Sequence, residues 1–533
     1  MRRLEPILSD LPRFKVQASS KIRKAASLKG IGFQNPGNVL LVERTNVRNA
    51  RIRGKKVLHC EVAIVGGGIG GLYTAESLLR HKKETNVCVF ERNARLGGRF
   101  YDYVFPQVPD ETVGLGAWRI DLANYNLRNI LERLSIPYEE WNFYENSRTE
   151  TRGQSSREDH EIKKQSFPTL LKGKFQNMTW SEMHQYLFNE EHVREADRFA
   201  TFQTYQQNIL TPEGSEFYFD VFGYEGDLRG GATGVVEYYK LLDEDFTGNE
   251  IRPVKGMSAI TNALEKSAKE LGAKIYTGSE ISSINQRKNI FVLRTSTGKI
   301  KAKKLVVAAP PGSFKKIRGS VARMIQQEEE FKSIKAFPAF KAAAVYERAW
   351  WEDIKDEATQ LYPMERFLSN SDCLGWTLPH SARGKNGEAV LHLAYKDGEC
   401  GEKWGSILNS VSKSLVDQEV HRAIEYKFNM TVPKPLETVY KYWNEGAWYL
   451  QRPGCNVSMR RVENWAKKPF PRKQIYIVGS AYNPYRAYSE GALVSANNAL
   501  LEGWGIPIPS PGINTRIVEP LHKAGGTNLR MIR

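Results

Sequence analysis

Cysteine is scarce in this chain. Among 533 residues there are five, at positions 60, 88, 373, 400 and 455. The number is odd, and no CxxC or Cys/His cluster occurs. That pattern argues against a disulfide framework and against a metal site, and it suits a reducing compartment. Long apolar runs are also missing. No window reaches the roughly 18 uncharged apolar residues of a membrane-spanning helix. The beginning of the chain lacks the apolar stretch of a secretory signal, so a cytoplasmic or organellar location is favoured over secretion. Sequons at Asn177, Asn429 and Asn456 therefore carry little weight. There is no internal repeat, and no low-complexity tract beyond a basic leader.

Acids are the minority charge, 60 against 77 Lys and Arg, for a net +17. Most of the excess is local: residues 1–58 hold fourteen Lys or Arg and three acids. The basic character thus belongs to an extension rather than to a catalytic surface. Such a leader is a solvated arm, a targeting segment, or a tether to a membrane or nucleic acid. Hydrophobic residues make up 41% and aromatics 11%, values of a globular chain with a large core and two or three domains.

What is present is a dinucleotide-binding unit between Glu61 and Arg99, EVAIVGGGIGGLYTAESLLRHKKETNVCVFERNARLGGR. A short apolar run, Val62 to Val65, leads into glycines. Leu72, Ala75, Leu78 and Leu79 then recur at helical spacing, and a second apolar run ends at Glu91. Gly66 permits the tight turn, Gly68 lets backbone approach a pyrophosphate, and Gly71 lets helix and strand pack closely. The helix start, at Ile69, offers N–H groups and a positive dipole end to phosphates. Glu91 would accept hydrogen bonds from a ribose 2′-OH, and it disfavours a 2′-phosphate. Gly97-Gly98-Arg99 follows at once and suits a longer, flavin-bearing pyrophosphate.

Beyond this unit, GLGAWRI (114–120) precedes a helical pattern over 122–136. Residues 146–165 are polar and read as an exposed loop. Residues 180–250 read as a mostly helical insertion. From Pro253 a helix and alternating strands lead to the buried strand Val306–Ala309, where the chain returns to the nucleotide domain. Residues 340–351 and 389–395 read as strands of a second sheet. From 472 a strand, a Gly turn, a loop and an amphipathic helix repeat the strand–helix pattern of a dinucleotide fold.

These blocks, in this order, resemble the flavin-dependent amine oxidases, a group that includes L-amino-acid oxidases and monoamine oxidases. The likeness covers about residues 59–505. It rests on VGGGIGGL…ERNARLGGR, LGAWR, VKGM with the strands to VVAAPP, FKAAAVYERAWWED, and YIVGSAYNPYRAYSEGALVSA. It implies an α/β fold: a discontinuous, Rossmann-like FAD-binding domain (59–120, 251–330, 471–505), a mixed α+β substrate domain (121–250, 331–470) with a helical insertion, a basic extension (1–58) and a tail (506–533). In covalent members a Cys stands where Ala447 stands here, so noncovalent FAD is expected.

The resemblance assigns roles residue by residue. Arg119 matches an Arg that grips the substrate carboxylate, and it separates an amino-acid substrate from a simple amine. Lys341 matches the Lys that holds a water near flavin N5. Trp448 and Tyr488 match an aromatic pair before the flavin ring. The cofactor is assigned to Gly66, Gly68, Ile69, Gly71, Glu91, Arg92, Gly97, Gly98, Arg99, Gly116, Ala117, Trp118, Ile281, Gly479, Ser480, Gly491 and Ala492. Many relatives carry an acid where Ser480 stands. Arg486 is a further departure and would suit an acidic substrate side chain.

The implied activity is oxidative deamination of an L-amino acid: hydride transfer from Cα to flavin N5, imine hydrolysis, and reoxidation by O₂ to H₂O₂. Alternatives are an amine or polyamine oxidase, a related flavin monooxygenase or desaturase, and a non-catalytic flavin-binding scaffold tethered by its leader. Partners are then a small amine or amino acid and O₂. Nucleic acid is disfavoured, and a membrane contact and a homodimer stay open.

Overall fold

The computed structural model describes residues 57–141, 147–296, 298–354, 366–369, 373–486 and 488–509. The basic leader up to residue 56 and the tail from residue 510 lie outside the described residues.

One sheet gathers three distant stretches of sequence. Its strands are β1 (Val57–Val65), β2 (Val87–Phe90), β3 (Lys274–Tyr276), β4 (Ser283–Arg287), β5 (Ile290–Arg294), β6 (Lys299–Val307) and β7 (Ile475–Ile477). The order is β3-β2-β1-β6-β5-β4, with β7 also on β6. β3, β2, β1, β6 and β7 run parallel; β5 and β4 fold back antiparallel. The register sets Ile64 against both Val89 and Val306. Helices and loops cover both faces, which is why Val62–Val65 and Val87–Phe90 are continuous apolar runs rather than alternating ones.

Helix α1 (Ile69–Arg80) leaves β1 through Gly66, whose φ is +117°. A Cβ at Gly71 would collide with the Gly66 carbonyl oxygen, so only glycine lets α1 lie this close to β1. Helix α2 (Glu490–Trp504) packs on α1 with the helix Ser258–Glu270. Leu72, Leu264, Leu493 and Ala496 meet in one core with Ile64 and Val89.

The second large sheet is carried by Ala339–Tyr346, buried along its whole length. The order is Glu437–Tyr442, Ala339–Tyr346, Ala389–Asp397, Gly375–Arg383, Arg366–Ser369, Ser147–Thr151, Gln154–Ser156. Between Asp159 and Asp245 the chain is helical, and its core reaches Phe337, Trp448 and Leu450.

Two expectations are corrected. The polar stretch read as a loop holds a hairpin, Ser147–Thr151 with Gln154–Ser156, and a helix, Asp159–Ser166. Ser147–Thr151 pairs with Arg366–Ser369, so the hairpin extends the sheet toward its edge, where polar residues are tolerated. Second, the cysteines do form disulfides: Cys60–Cys88 and Cys373–Cys400, with Cα–Cα distances of 6.1 and 5.1 Å. Cys60 lies on β1 and Cys88 on the neighbouring β2. Strand pairing alone brings these positions together, and spacing along the chain carries no trace of it. The case for a reducing compartment made from cysteine usage falls with this. Among the described residues no helix is long and apolar enough to cross a membrane.

Candidate active site

A cavity of about 810 Å³ runs between the two sheets. That size lies within the range of small-molecule and cofactor sites. One end lies against Ser279–Ser283 and Arg318, the middle against Gly66, Gly68, Gly97 and Gly98, and the far end against Lys341, Tyr395, Asp397, Trp448 and Tyr488.

In the middle of the cavity the glycines form a backbone cradle free of side chains. Gly68 and Gly97 approach as a backbone bridge, and Gly97 N–H donates to Gly67 O at 2.8 Å. Gly97 and Gly98 have φ of +99° and +58°, conformations that glycine adopts without strain. A Cβ on Gly98 would come within 3.2 Å of Gly68 Cα, narrowing this cradle. Glu91 Oε2 accepts from Gly67 N–H at 2.9 Å, and Oε1 accepts from the Asn93 backbone and side chain, both at 2.9 Å. The acid is thus fixed at the turn, facing the cavity. Arg99 donates to Ala447 O at 2.5 Å and to Ser480 Oγ at 2.7 Å. Ser480 is therefore engaged by the glycine-motif arginine.

Of the expected cofactor residues, Gly66, Gly68, Ile69, Glu91, Arg92, Gly97, Gly98, Arg99, Gly116, Ala117, Ile281, Gly479, Ser480 and Ala492 line the cavity. Gly71, Trp118 and Gly491 do not. Gly71 acts one layer back, through helix–strand packing. Gly491 makes room for the backbone of Tyr485, where a Cβ would collide. Trp118 turns to a second, small cavity of about 20 Å³ shared with Asp102, His380 and His392.

Lys341 is in the cavity wall and buried. Its Nζ donates to Gly116 O at 2.6 Å and lies 3.7 Å from the centre of the Trp118 ring and 4.2 Å from that of Tyr395. Burial, reinforced by the positive charge of Arg119, holds this amine well below its ordinary pKa. Trp448 and Tyr488 both line the same end. Trp448 packs on Tyr224 at 5.2 Å, and Tyr488 on Phe246 at 4.5 Å.

Arg119 is the departure. It is not part of the cavity wall, and its Nε pairs with Glu250 Oε1 at 2.9 Å. The pairing follows from strand register, because Asp121 lies opposite Glu250. Arg119 still acts on the site electrostatically, since its charge disfavours protonated Lys341. Arg486 is likewise buried outside the wall, donating to Gly234 O at 3.0 Å. Glu490, in the YSEG segment, accepts from Asn126 N and Leu127 N at 2.8 and 3.0 Å and so caps the helix Tyr125–Arg133.

Sequence reasoning missed Tyr395, Asp397, Lys441 and Glu445, all of which line the cavity. Asp397 accepts from the backbone N–H groups of Glu225 and Gly226 at 3.1 and 2.7 Å; burial raises its pKa to about 6, with the neighbouring charges of Lys396 and Glu225 acting in opposite directions. Glu445 takes a two-pronged contact from Arg92 at 3.0 and 2.6 Å, with Ser313 and Lys316 adding hydrogen bonds. Only the position of Tyr395 and Asp397 at the end of an apolar strand hinted at any of these.

A family model described as flavin containing amine oxidoreductase matches residues 69–499. Aplysianin-A of Aplysia kurodai is 23% identical over 511 residues, 82% of this chain and 89% of the relative. Achacin of Lissachatina fulica is 22% identical over 523 residues, 82% and 92% of the two chains. Among solved structures, cyclohexylamine oxidase from Brevibacterium oxydans superposes with a TM-score of 0.62 at 14% identity, over 83% of this chain and 98% of that one. Putrescine oxidase bound to putrescine gives 0.60 at 17%, over 83% and 98%. These structural likenesses speak to the fold.

Proposed function

This chain belongs to the flavin-containing amine oxidoreductases, and from that premise we propose that it is an oxidase with noncovalent FAD that deaminates an L-amino acid oxidatively. FAD suits the cavity's volume, its glycine cradle and the acid at Glu91, and Ala447 offers no sulfur for a thioether. When bound, the flavin supplies the two-electron acceptor, and O₂ is the proposed terminal oxidant, giving H₂O₂.

The chain's own residues divide the remaining work. Trp448 and Tyr488 wall the far end, exclude water and orient a flat amine-bearing carbon. Lys341 offers, beside Tyr395, a dry amine held well below its ordinary pKa and placed to hand a proton to oxygen during reoxidation. The observation that carries the amino-acid reading is the guanidinium of Arg119, in the LGAWR segment, whose charge is felt at Lys341 although Glu250 pairs with it. A cation so close to the site favours a substrate carboxylate over a second ammonium.

A second reading, a simple amine substrate, is favoured by the Arg119–Glu250 ion pair and by Asp397, the carboxylate at the substrate end of the wall. Anaerobic mixing with a panel of L-amino acids and amines decides between them. Flavin bleaching by amino acids supports the first reading, and bleaching by amines alone overturns it.

A further inference from the structure

Lys441 is absent from every motif that carried the cofactor assignment, yet it lies in the cavity wall and is 7% exposed. It sits directly opposite Lys341 in the antiparallel pairing of Glu437–Tyr442 with Ala339–Tyr346. Opposed residues project from the same face, so both lysine side chains stand in the cavity wall.

The protein supplies little to offset the charge of Lys441. The Lys441 amine lies against two rings, 4.6 Å from the centre of Trp443 and 5.3 Å from that of Tyr101. It makes no ion pair or hydrogen bond with any described residue. Its charged neighbours from the loop after β2 are Arg92 and Arg95, both cationic. Arg92 is committed to Glu445, and Arg95 donates to the carbonyls of Leu96, Gly98 and Phe100. Seven cationic side chains but only four carboxylates line the cavity as a whole. Arg95 also ties this cluster to Gly98, and so to the glycine cradle at the start of α1.

We propose that Lys441 is a cofactor-binding residue whose ammonium pairs with the diphosphate of the dinucleotide in this cavity. The assignment rests on the FAD reading above, and not on the choice of substrate. A diphosphate carries the negative charge that the surplus of cations lacks. The Trp443 and Tyr101 faces hold the ammonium by cation–π attraction while leaving its N–H donors for phosphate oxygens.

The test is flavin binding by the full-length apoprotein, followed by fluorescence, with FAD and with riboflavin, which has no phosphate. Lys441→Gln should weaken FAD about tenfold or more and leave riboflavin unchanged, while Lys441→Arg should stay close to wild type. FAD affinity of the wild type should fall as pH rises through about 8, where burial and then Arg95 and Arg92 place this amine. Lys341 also titrates on this face, but it is common to both proteins, so the fall specific to wild type reports Lys441. Equal losses for FAD and riboflavin, or no loss at all, would overturn the assignment. A wild type that takes up riboflavin but gains nothing from the phosphates overturns it while leaving a flavin enzyme standing. A wild type that takes up no flavin overturns both readings.

Discussion

Arg99 and Ser480, 381 residues apart, are joined by a 2.7 Å hydrogen bond across the middle of the cavity. Arg99 closes the glycine motif at one end of the chain, and Ser480 follows the last strand of the same sheet near the other. The same guanidinium reaches Ala447 O and lies 5.0 Å from the centre of the Tyr449 ring. One cation thus ties three segments around the central stretch of the cavity. Ser480→Ala should lower stability by about 1.5–3 kcal/mol, the range for a hydrogen bond to a charged group. Denaturant melts of the variant measure it, with a shifted midpoint at an unchanged slope expected.

Lys341→Met should slow reoxidation of reduced flavin by O₂ far more than it slows flavin reduction. Stopped-flow separation of the two half-reactions checks this, and equal slowing of both would remove the proposed role. The variant also has a stability signature. Below its lowered folded pKa, Lys341 is charged in both states and the fold bears the cost of a buried ammonium. Between that pKa and the ordinary value of 10.5, only the unfolded chain holds the proton, so wild-type stability rises with pH. The methionine variant should therefore gain most in melting temperature at acidic pH, with the gap narrowing toward pH 10.

Arg119→Ala tests two roles at once. It deprives the buried Glu250 of its cation, at a cost of about 3 kcal/mol. If the Arg119 field also steers a carboxylate, KM for an amino acid should rise at least tenfold while KM for a simple amine stays within about twofold. A uniform loss across both substrate classes would mark the residue as structural only.

Glu445 should set part of the acid limit of the fold. Burial pushes its carboxyl up, but hydrogen bonds from Arg92, Lys316 and Ser313 more than offset this and hold it at about 2. Its stabilisation is complete above the ordinary value of 4.5 and is lost as pH falls from there toward 2. Glu445→Gln should cost at most about 3 kcal/mol at pH 7. Thermal melts should show the difference between the two proteins shrinking below pH 4.5.

Thiol titration of the unfolded, unreduced protein should find one reactive cysteine, Cys455, because the other four are paired. Full reduction should raise the count to five. Five thiols before reduction would contradict both disulfides.

Local pattern was enough to read the strand–turn–helix–strand unit from Val62 to Glu91, because glycine freedom and helical spacing are properties of neighbouring residues. The fully buried strand around Lys341 was legible for the same reason. The hairpin after Ser147 was not. Its polar residues form strands because an existing sheet edge offers them partners, and no window of sequence shows that edge.

The sequence by itself determined the glycine turn between Gly66 and Glu91, since the φ of +117° at Gly66 is one that glycine takes up at low cost and a Cβ at Gly71 would collide with the Gly66 carbonyl. Tertiary structure alone decided that Cys60 would meet Cys88, that Arg119 would face Glu250 rather than the cavity, and that Lys441 would stand opposite Lys341. Each of those depends on which strands lie side by side and in what register. That is fixed by packing the whole core, and no stretch of the chain encodes it alone.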